Sequence, residues 1–378
     1  MGQCKSTKKD AERKLAELLH QLDTGTFMKP GKATLADFLE RWLKDYVEAN
    51  LAPRTAEGYE TIIRQHLIPK LGSVPLTQLK PEHIQKYYAE TLANGRCNGK
   101  GGLSSTTLRH HHMTLHKALK CAVKWGLVGR NPTDAVDAPR CQNHEMHTLN
   151  EDGMRSLLEA ARSTPYYALF YLALYTGMRR SELLGLRWCD VDLILGQVSV
   201  TRGLHYLRDG SIVFRSPKTA TSRRTVALPP SAILMLRDHR EQQEAIHGAS
   251  GTPADEEGLV FSQFGGRPLL PNTVTHAWIK LARRTGLAGI RLHDARHTHA
   301  SLMLKQGVHP KVVQERLGHS SIAITLDTYS HVAPGLQQAA TRGFDECLVR
   351  ETQPTKSSSN AALTESIPYT GSTPLYSL

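Results

Sequence analysis

Apolar side chains recur at helical spacing over most of the chain. Residues 7 to 22 place Ala11, Leu15, Leu18 and Leu19 on one face, an amphipathic helix closed by Gly25 and followed by a Pro30-Gly31 linker. From residue 32 to 145 the pattern is almost wholly helical. Leu35, Phe38, Leu39, Trp42, Leu43 and Tyr46 form one stripe, and Thr55 to Leu67 a second. Glu82 to Leu92, behind Pro81, gives a third, and Thr106 to Trp125 a long fourth. A Gly-rich loop over 94–105 separates the last two, and Asn131-Pro132 ends the run. The pattern predicts an all-α bundle.

A second unit, 146 to 349, opens on a helix capped by Asn150. The segment YYALFYLALYTGM, 166–178, is apolar on every face and belongs at the centre of a core. Gly177 interrupts it, and a short helix follows from Arg179 to Leu186. Strand patterns come next at 190–193, 197–201, 211–214 and 225–228, with Asp209-Gly210 as a hairpin turn. Helices return at 231–247, 273–285, 293–306, 309–317, 321–329 and 334–348. This order predicts a mainly helical α+β domain with one small antiparallel sheet at an edge. Residues 350–378 are rich in Ser, Thr, Pro and Asn without periodicity, the composition of a disordered tail.

Composition narrows the function. At 40% hydrophobic and 22% charged, the 378 residues have a soluble globular balance. The net charge of +12 favours a polyanionic partner, nucleic acid first. The excess is spread: residues 31–145 carry 16 Lys and Arg against 11 Asp and Glu, and 146–345 carry 23 against 17. Six scattered cysteines with no CxxC pair speak against a thiolate zinc site and fit a reducing compartment. The longest apolar run, 168–175, is too short to cross a membrane, so a cytoplasmic protein is expected. The opening MGQCKS matches an acylation pattern only in form and is set aside.

The candidate chemistry gathers in LHDARHTHASLMLKQGVHPKVVQERLGHSSIAITLDTYSH, residues 292 to 331. His293 and Arg296 are one helical turn apart, a proton-transferring imidazole beside a guanidinium able to grip phosphate oxygens. Alone, that pair is more simply a surface histidine and a salt-bridging arginine. A metal reading of His293 and His297 has the right spacing but no HExxH glutamate and no third ligand. His110, His111 and His112 are consecutive on one helix, point in different directions, and are expected to face solvent or DNA. Arg179 changes the picture. It follows the Gly177 break, with Glu182 one turn on to orient it, and supplies a second guanidinium for a phosphate clamp. Lys218, on the hairpin tip SPKTATSRRT, offers an ammonium that can protonate a leaving alkoxide.

In order, TGMRRSE, the PKT lysine, HDARH, LGHSS and TYSH resemble the tyrosine recombinase (phage-type integrase) family over about residues 8 to 348. The resemblance implies Arg179, Lys218, His293, Arg296 and His319 as the basic catalytic set, Tyr329 as nucleophile and Glu182 as a supporting acid. It implies a 3′-phosphotyrosyl intermediate, with His293 assisting the phenol and Lys218 protonating the 5′-oxygen, and neither metal, cofactor nor ATP. Residues 32–145 correspond to the family's core-site DNA-binding domain, and 146–349 to its catalytic domain. Arg54, Tyr59, Thr107, Arg109, Arg223 and Arg224 are expected to contact DNA. The implied partners are double-stranded attachment sites, a homotetramer docked through 334–348, and accessory DNA-bending or excision factors. The expected setting is the cytoplasm, in association with the nucleoid, for a bacterial or phage-encoded protein. Relatives commonly carry an arm-binding β domain ahead of a helix like that in 1–31; the sequence lacks it, and an upstream piece is expected to be missing. A type IB topoisomerase and a non-catalytic DNA-binding protein of the same fold are the alternatives.

Overall fold

The structure, a computed structural model, describes residues 33–141, 146–217, 222–249 and 258–329, with Glu12, Leu15, Ala16, Thr341, Arg342, Phe344 and Asp345. Lys218, the tail 350–378 and most of the expected helices over 7–22 and 334–348 lie outside the described residues.

The N-terminal helical region starts at a capping box. Thr34 Oγ1 accepts from the Asp37 amide, and the Asp37 carboxylate accepts from the Thr34 amide. Helix α1 (Leu35–Trp42) turns its apolar stripe inward, widens through Leu43–Val47, and ends at Glu48–Asn50. Helix α2 (Pro53–Ile62) continues through Ile63–Leu67 to Ile68–Leu71. Helices α3 (Pro81–Asn94) and α4 (Ser105–Lys124) complete the packing. Leu35, Leu39, Trp42, Ile63, Ile84, Leu108 and Leu115 form the centre of this core. The histidine triplet is a correction. His111 is buried and shares a 2.8 Å hydrogen bond with the Tyr87 hydroxyl, while His112 pairs with Tyr88 at 2.7 Å. His111 lies on the same helical stripe as Leu108 and Leu115, so the period already placed it inside.

The second region is organised around α6 (Tyr167–Thr176), buried on nearly all sides. Around it lie α5 (Glu151–Ala161), α7 (Arg180–Leu184), α8 (Pro230–Ala249), α9 (Pro271–Arg284) and α10 (Asp294–Lys305). Phe170 meets Trp278 edge to face at 5.1 Å between ring centres. Two short helices, α11 (Pro310–Leu317) and α12 (Ile322–Tyr329), close a smaller cluster of Ala300, Leu304, Val313, Leu317 and Tyr329. The expected all-α unit and mainly helical α+β unit are therefore present.

The expected single sheet is two. Strands β1 (Val191–Asp192), β2 (Gln197–Val200) and β5 (Arg224–Ala227) form one antiparallel sheet in the order β1-β2-β5. Strands β3 (Gly203–Tyr206) and β4 (Ile212–Arg215) form a separate hairpin. The strand β3 was not expected: Gly203-Leu204-His205-Tyr206 lacks the β-branched residues that mark strands, and it is held by pairing with β4. The hairpin's turn meets the helical region, where the Arg208 amide donates to Glu57 of α2 at 2.6 Å and its guanidinium to Thr61.

Candidate active site

Two helix ends hold the guanidinium half of the site. Helix α6 stops at Gly177 and α11 at Gly318, both left-handed with φ of +64° and +67°. The last carbonyls of a helix lack helical partners and carry partial negative charge, so they attract cations. Arg296, on the first turn of α10 and 3% exposed, donates to Gly177 O at 2.8 Å and to Leu317 O at 2.7 Å. Arg179, at the N-terminus of α7, donates to the neighbouring carbonyl, Gly318 O, at 3.3 Å. The two arginines, 117 positions apart in the chain, therefore meet at the successive carbonyls of Leu317 and Gly318. Burial pushes the Arg296 pKa down to about 9, which still leaves it charged at neutral pH.

Glu182 sits between the basic groups. It accepts from the Arg179 guanidinium at 2.7 Å, from the Arg179 amide at 2.8 Å, and from both terminal nitrogens of Arg224 at 3.1 and 2.9 Å. Burial pushes this carboxyl up, but the bonds and charges of Arg224 and Arg179 outweigh it and hold its pKa below the usual range.

The phenol half faces the same turn. The Tyr329 hydroxyl lies 2.9 Å from His297 Nδ1, and the residue is 1% exposed. Burial raises its pKa to about 12, so the phenol keeps its proton at neutral pH and donates to His297 in the tautomer that leaves Nδ1 bare. In this arrangement the phenol's partner is His297, and no bond joins it to His293, the residue expected to assist it. His293 is the N-cap of α10 rather than a residue of its first turn, and its ring packs edge-on against His297 at 5.0 Å. His319 Nδ1 is 2.9 Å from the Thr325 hydroxyl, and its ring stacks on Tyr329 at 6.4 Å. When that hydroxyl donates, the imidazole proton sits on Nε2. Burial, and then the charges of nearby arginines, lower the His319 pKa to about 4; burial and His297 do the same for His293. Both rings are neutral at pH 7. His299 is occupied elsewhere, donating to Leu174 O at 3.0 Å and accepting from Arg316 at 2.9 Å.

The expected DNA contacts scatter. Arg54 lines a 470 Å³ cleft with Arg180 and Arg208, while Arg109 and Arg223 are exposed. Tyr59 instead stacks on Trp42 at 5.8 Å, and Thr107 belongs to the Ser104 cap of α4. Arg224 is a correction: its side chain is 6% exposed and buried on Glu182, so it faces the interior. On β5 it shares a face with buried Val226, and strand parity carried that information. His297 likewise shares a helical stripe with buried Ala300 and Leu304. Thr325 had no mark in the sequence beyond its position on α12.

Comparisons with known proteins point to one family. The model of the phage integrase family matches residues 147–335, and that of the phage integrase N-terminal SAM-like domain matches 34–92. A tyrosine recombinase XerC-like protein of Caldanaerobacter subterraneus subsp. tengcongensis is 30% identical over 361 residues, 91% of this chain and 90% of its own length. The ICEBs1 integrase of Bacillus subtilis is 26% identical over 348 residues, covering 91% of each. The Tn1549 transposon integrase, solved in complex with a circular intermediate DNA, superposes with a TM-score of 0.69 at 20% identity, over 83% of this chain and 100% of that one. A lambda integrase tetramer bound to a Holliday junction gives 0.58 at 19% identity, over 87% and 88%. These matches span both regions, and the chain belongs to the phage integrase family.

Proposed function

We propose that this protein is a site-specific DNA recombinase that cuts and rejoins strands through Tyr329. The phenolic oxygen attacks a phosphodiester, forms a 3′-phosphotyrosyl bond, and expels a 5′-hydroxyl. His297 takes the phenolic proton, and Lys218 gives a proton to the leaving 5′-oxygen. Arg179 and Arg296 grip the non-bridging oxygens, with His319 Nε2–H as a neutral third donor. Each such donor is worth about 10²–10³ in rate where charge builds on the phosphorane. The phosphotyrosyl bond keeps the phosphodiester's energy, so attack by another strand's 5′-hydroxyl completes exchange without ATP or a metal.

One observation carries this reading: a phenol hydrogen-bonded to an imidazole lies beside two guanidinia anchored on adjacent carbonyls. The +12 charge supports duplex DNA as the partner. Because Tyr329 is buried, α12 must shift before the phenol reaches a phosphate. The tetrameric lambda integrase, bound to a Holliday junction, supports assembly as a homotetramer on DNA. The recombinase reading itself adds attachment sites as the target, accessory bending or excision factors, and the nucleoid of a bacterial host.

The test is recovery of the DNA strand bound to Tyr329. The full chain is mixed with a pool of random-sequence duplexes each carrying one nick, denatured and digested, and the adducted peptide and strand are sequenced. The expected peptide contains Tyr329, one junction sequence recurs, and Tyr329→Phe binds the pool but forms no adduct. An adduct surviving in that variant would name another nucleophile. Efficient relaxation of supercoiled DNA without a recurring site would favour a topoisomerase.

A further inference from the structure

We propose that Arg224 is a positioning residue that keeps Arg179 free for phosphate by occupying Glu182. The proposal rests on the reading of Arg179 as half of the clamp. An ionised carboxylate has about four acceptor sites, and all four on Glu182 are filled. Oε1 takes Arg179 Nη1 at 2.7 Å and Arg224 Nη1 at 3.1 Å, while Oε2 takes the Arg179 amide at 2.8 Å and Arg224 Nη2 at 2.9 Å. Arg224 therefore straddles both oxygens as a fork, and Arg179 holds the carboxylate by one nitrogen.

Removing Arg224 opens one site on each oxygen. The nearest donor is Arg179, whose Nη2 has only a long 3.3 Å bond to Gly318 O. A guanidinium beside a carboxylate with two open sites forms the bidentate pair. Arg179 then turns onto Glu182, its charge is cancelled one to one, and the clamp keeps only Arg296. With Arg224 in place, three arginines stand against one carboxylate, and the surplus faces the phosphate.

Arg224 is also fixed from the other side. Its Nε donates to Arg316 O at 2.6 Å, on the last turn of the helix that leads to Gly318 and His319. A Cβ at Gly318 would lie 3.0 Å from Arg224 Cδ, so the glycine leaves the room that the arginine fills. One side chain thus ties the strand β5, the α7 N-terminus and the α11 C-terminus together.

A double-mutant cycle tests this in the full chain, with the nicked random-sequence duplex pool as probe. Adduct formation is measured in single turnover at saturating protein, with affinity for the pool and melting temperature alongside. Arg179→Ala should slow the adduct about 10²–10³-fold, and Arg224→Gln by nearly the same factor, with affinity for the pool little changed. In the Arg224→Gln background, Arg179→Ala should cost less than about threefold more, because the guanidinium is already lost to Glu182. Losses that multiply overturn the proposal, since a purely structural arginine would act independently of Arg179. If Arg224→Gln folds poorly, the pair Glu182→Gln with Arg224→Gln removes both buried charges. It should cleave about tenfold faster than Arg224→Gln normalised to folded protein, and no recovery also overturns the proposal. Arg179→Ala at the wild-type rate sinks the clamp reading itself, a different result from multiplying losses.

Discussion

Arg179, Arg224 and Arg296 are fixed by carbonyls and a carboxylate at 2.6 to 3.3 Å, whereas the Tyr329 phenol rests on one neutral imidazole, His297. The first group consists of side chains charged at any physiological pH, set on helix ends that cannot move without unpairing backbone groups. The second is a set of titratable rings around a buried hydroxyl. The difference divides the work: the guanidinium half supplies a fixed field, and the phenol half makes and breaks bonds. The two are coupled, because the field of Arg296, Arg179 and Arg224 helps to hold His319 uncharged. The arginines that would grip a phosphate therefore also keep the imidazoles in the form that accepts or donates a single proton.

The largest effect should come from breaking the fixed half. Arg296→Ala removes a phosphate donor worth about 10²–10³ in rate. It also strands Gly177 O and Leu317 O in the interior, at roughly 1–3 kcal/mol for each unsatisfied acceptor. Adduct formation and melting temperature should fall together, and Arg296→Lys should rescue little because one ammonium cannot span both carbonyls. An Arg296→Ala protein that melts and cleaves like wild type would show that the field comes from elsewhere. In the phenol half the loss of stability is smaller, one buried hydroxyl losing its partner, and the main effect is on rate. His297→Ala should slow adduct formation about 10²-fold, the lower range for a positioned proton acceptor, and more than His293→Ala does. The opposite order would return the proton to His293.

How much of this was legible depends on the kind of constraint. Helical stripes such as Leu35, Phe38, Leu39 and Trp42 report burial directly, and the helices of both regions follow them. Polar residues on a buried stripe are harder to read, because their type speaks for the surface while their position speaks for the interior. His111, His297 and Arg224 all obey the period, and reading type over position misplaces each one. The meeting of Arg179 with Arg296 is a different case. It depends on two glycine-ended helices bringing their last carbonyls together, and no local pattern encodes that. The separate hairpin β3-β4 is hidden for the same reason, since pairing rather than side-chain type makes its first strand.

The smallest expected effect is the pH dependence of stability, to which the phenol half contributes and the clamp does not. A free imidazole titrates near pH 6.5, while burial holds His293 and His319 to about 4 in the folded protein. Between those values the unfolded chain binds a proton that the folded chain does not, so stability falls as pH falls. Each ring's contribution is complete above about pH 6.5 and is lost on descent toward pH 4. Buried His111, also held to about 4, and His299, held to about 3, act in the same direction. Glu182 has the same sign but a lower window, because Arg224 and Arg179 hold its pKa below the usual carboxylate range. The melting temperature should therefore decline from pH 7 to pH 5. His319→Gln should make that decline shallower, and Glu182→Gln, although it lowers the whole curve, should leave the slope unchanged. A slope that flattened with Glu182→Gln and not with His319→Gln would move the titration into the clamp.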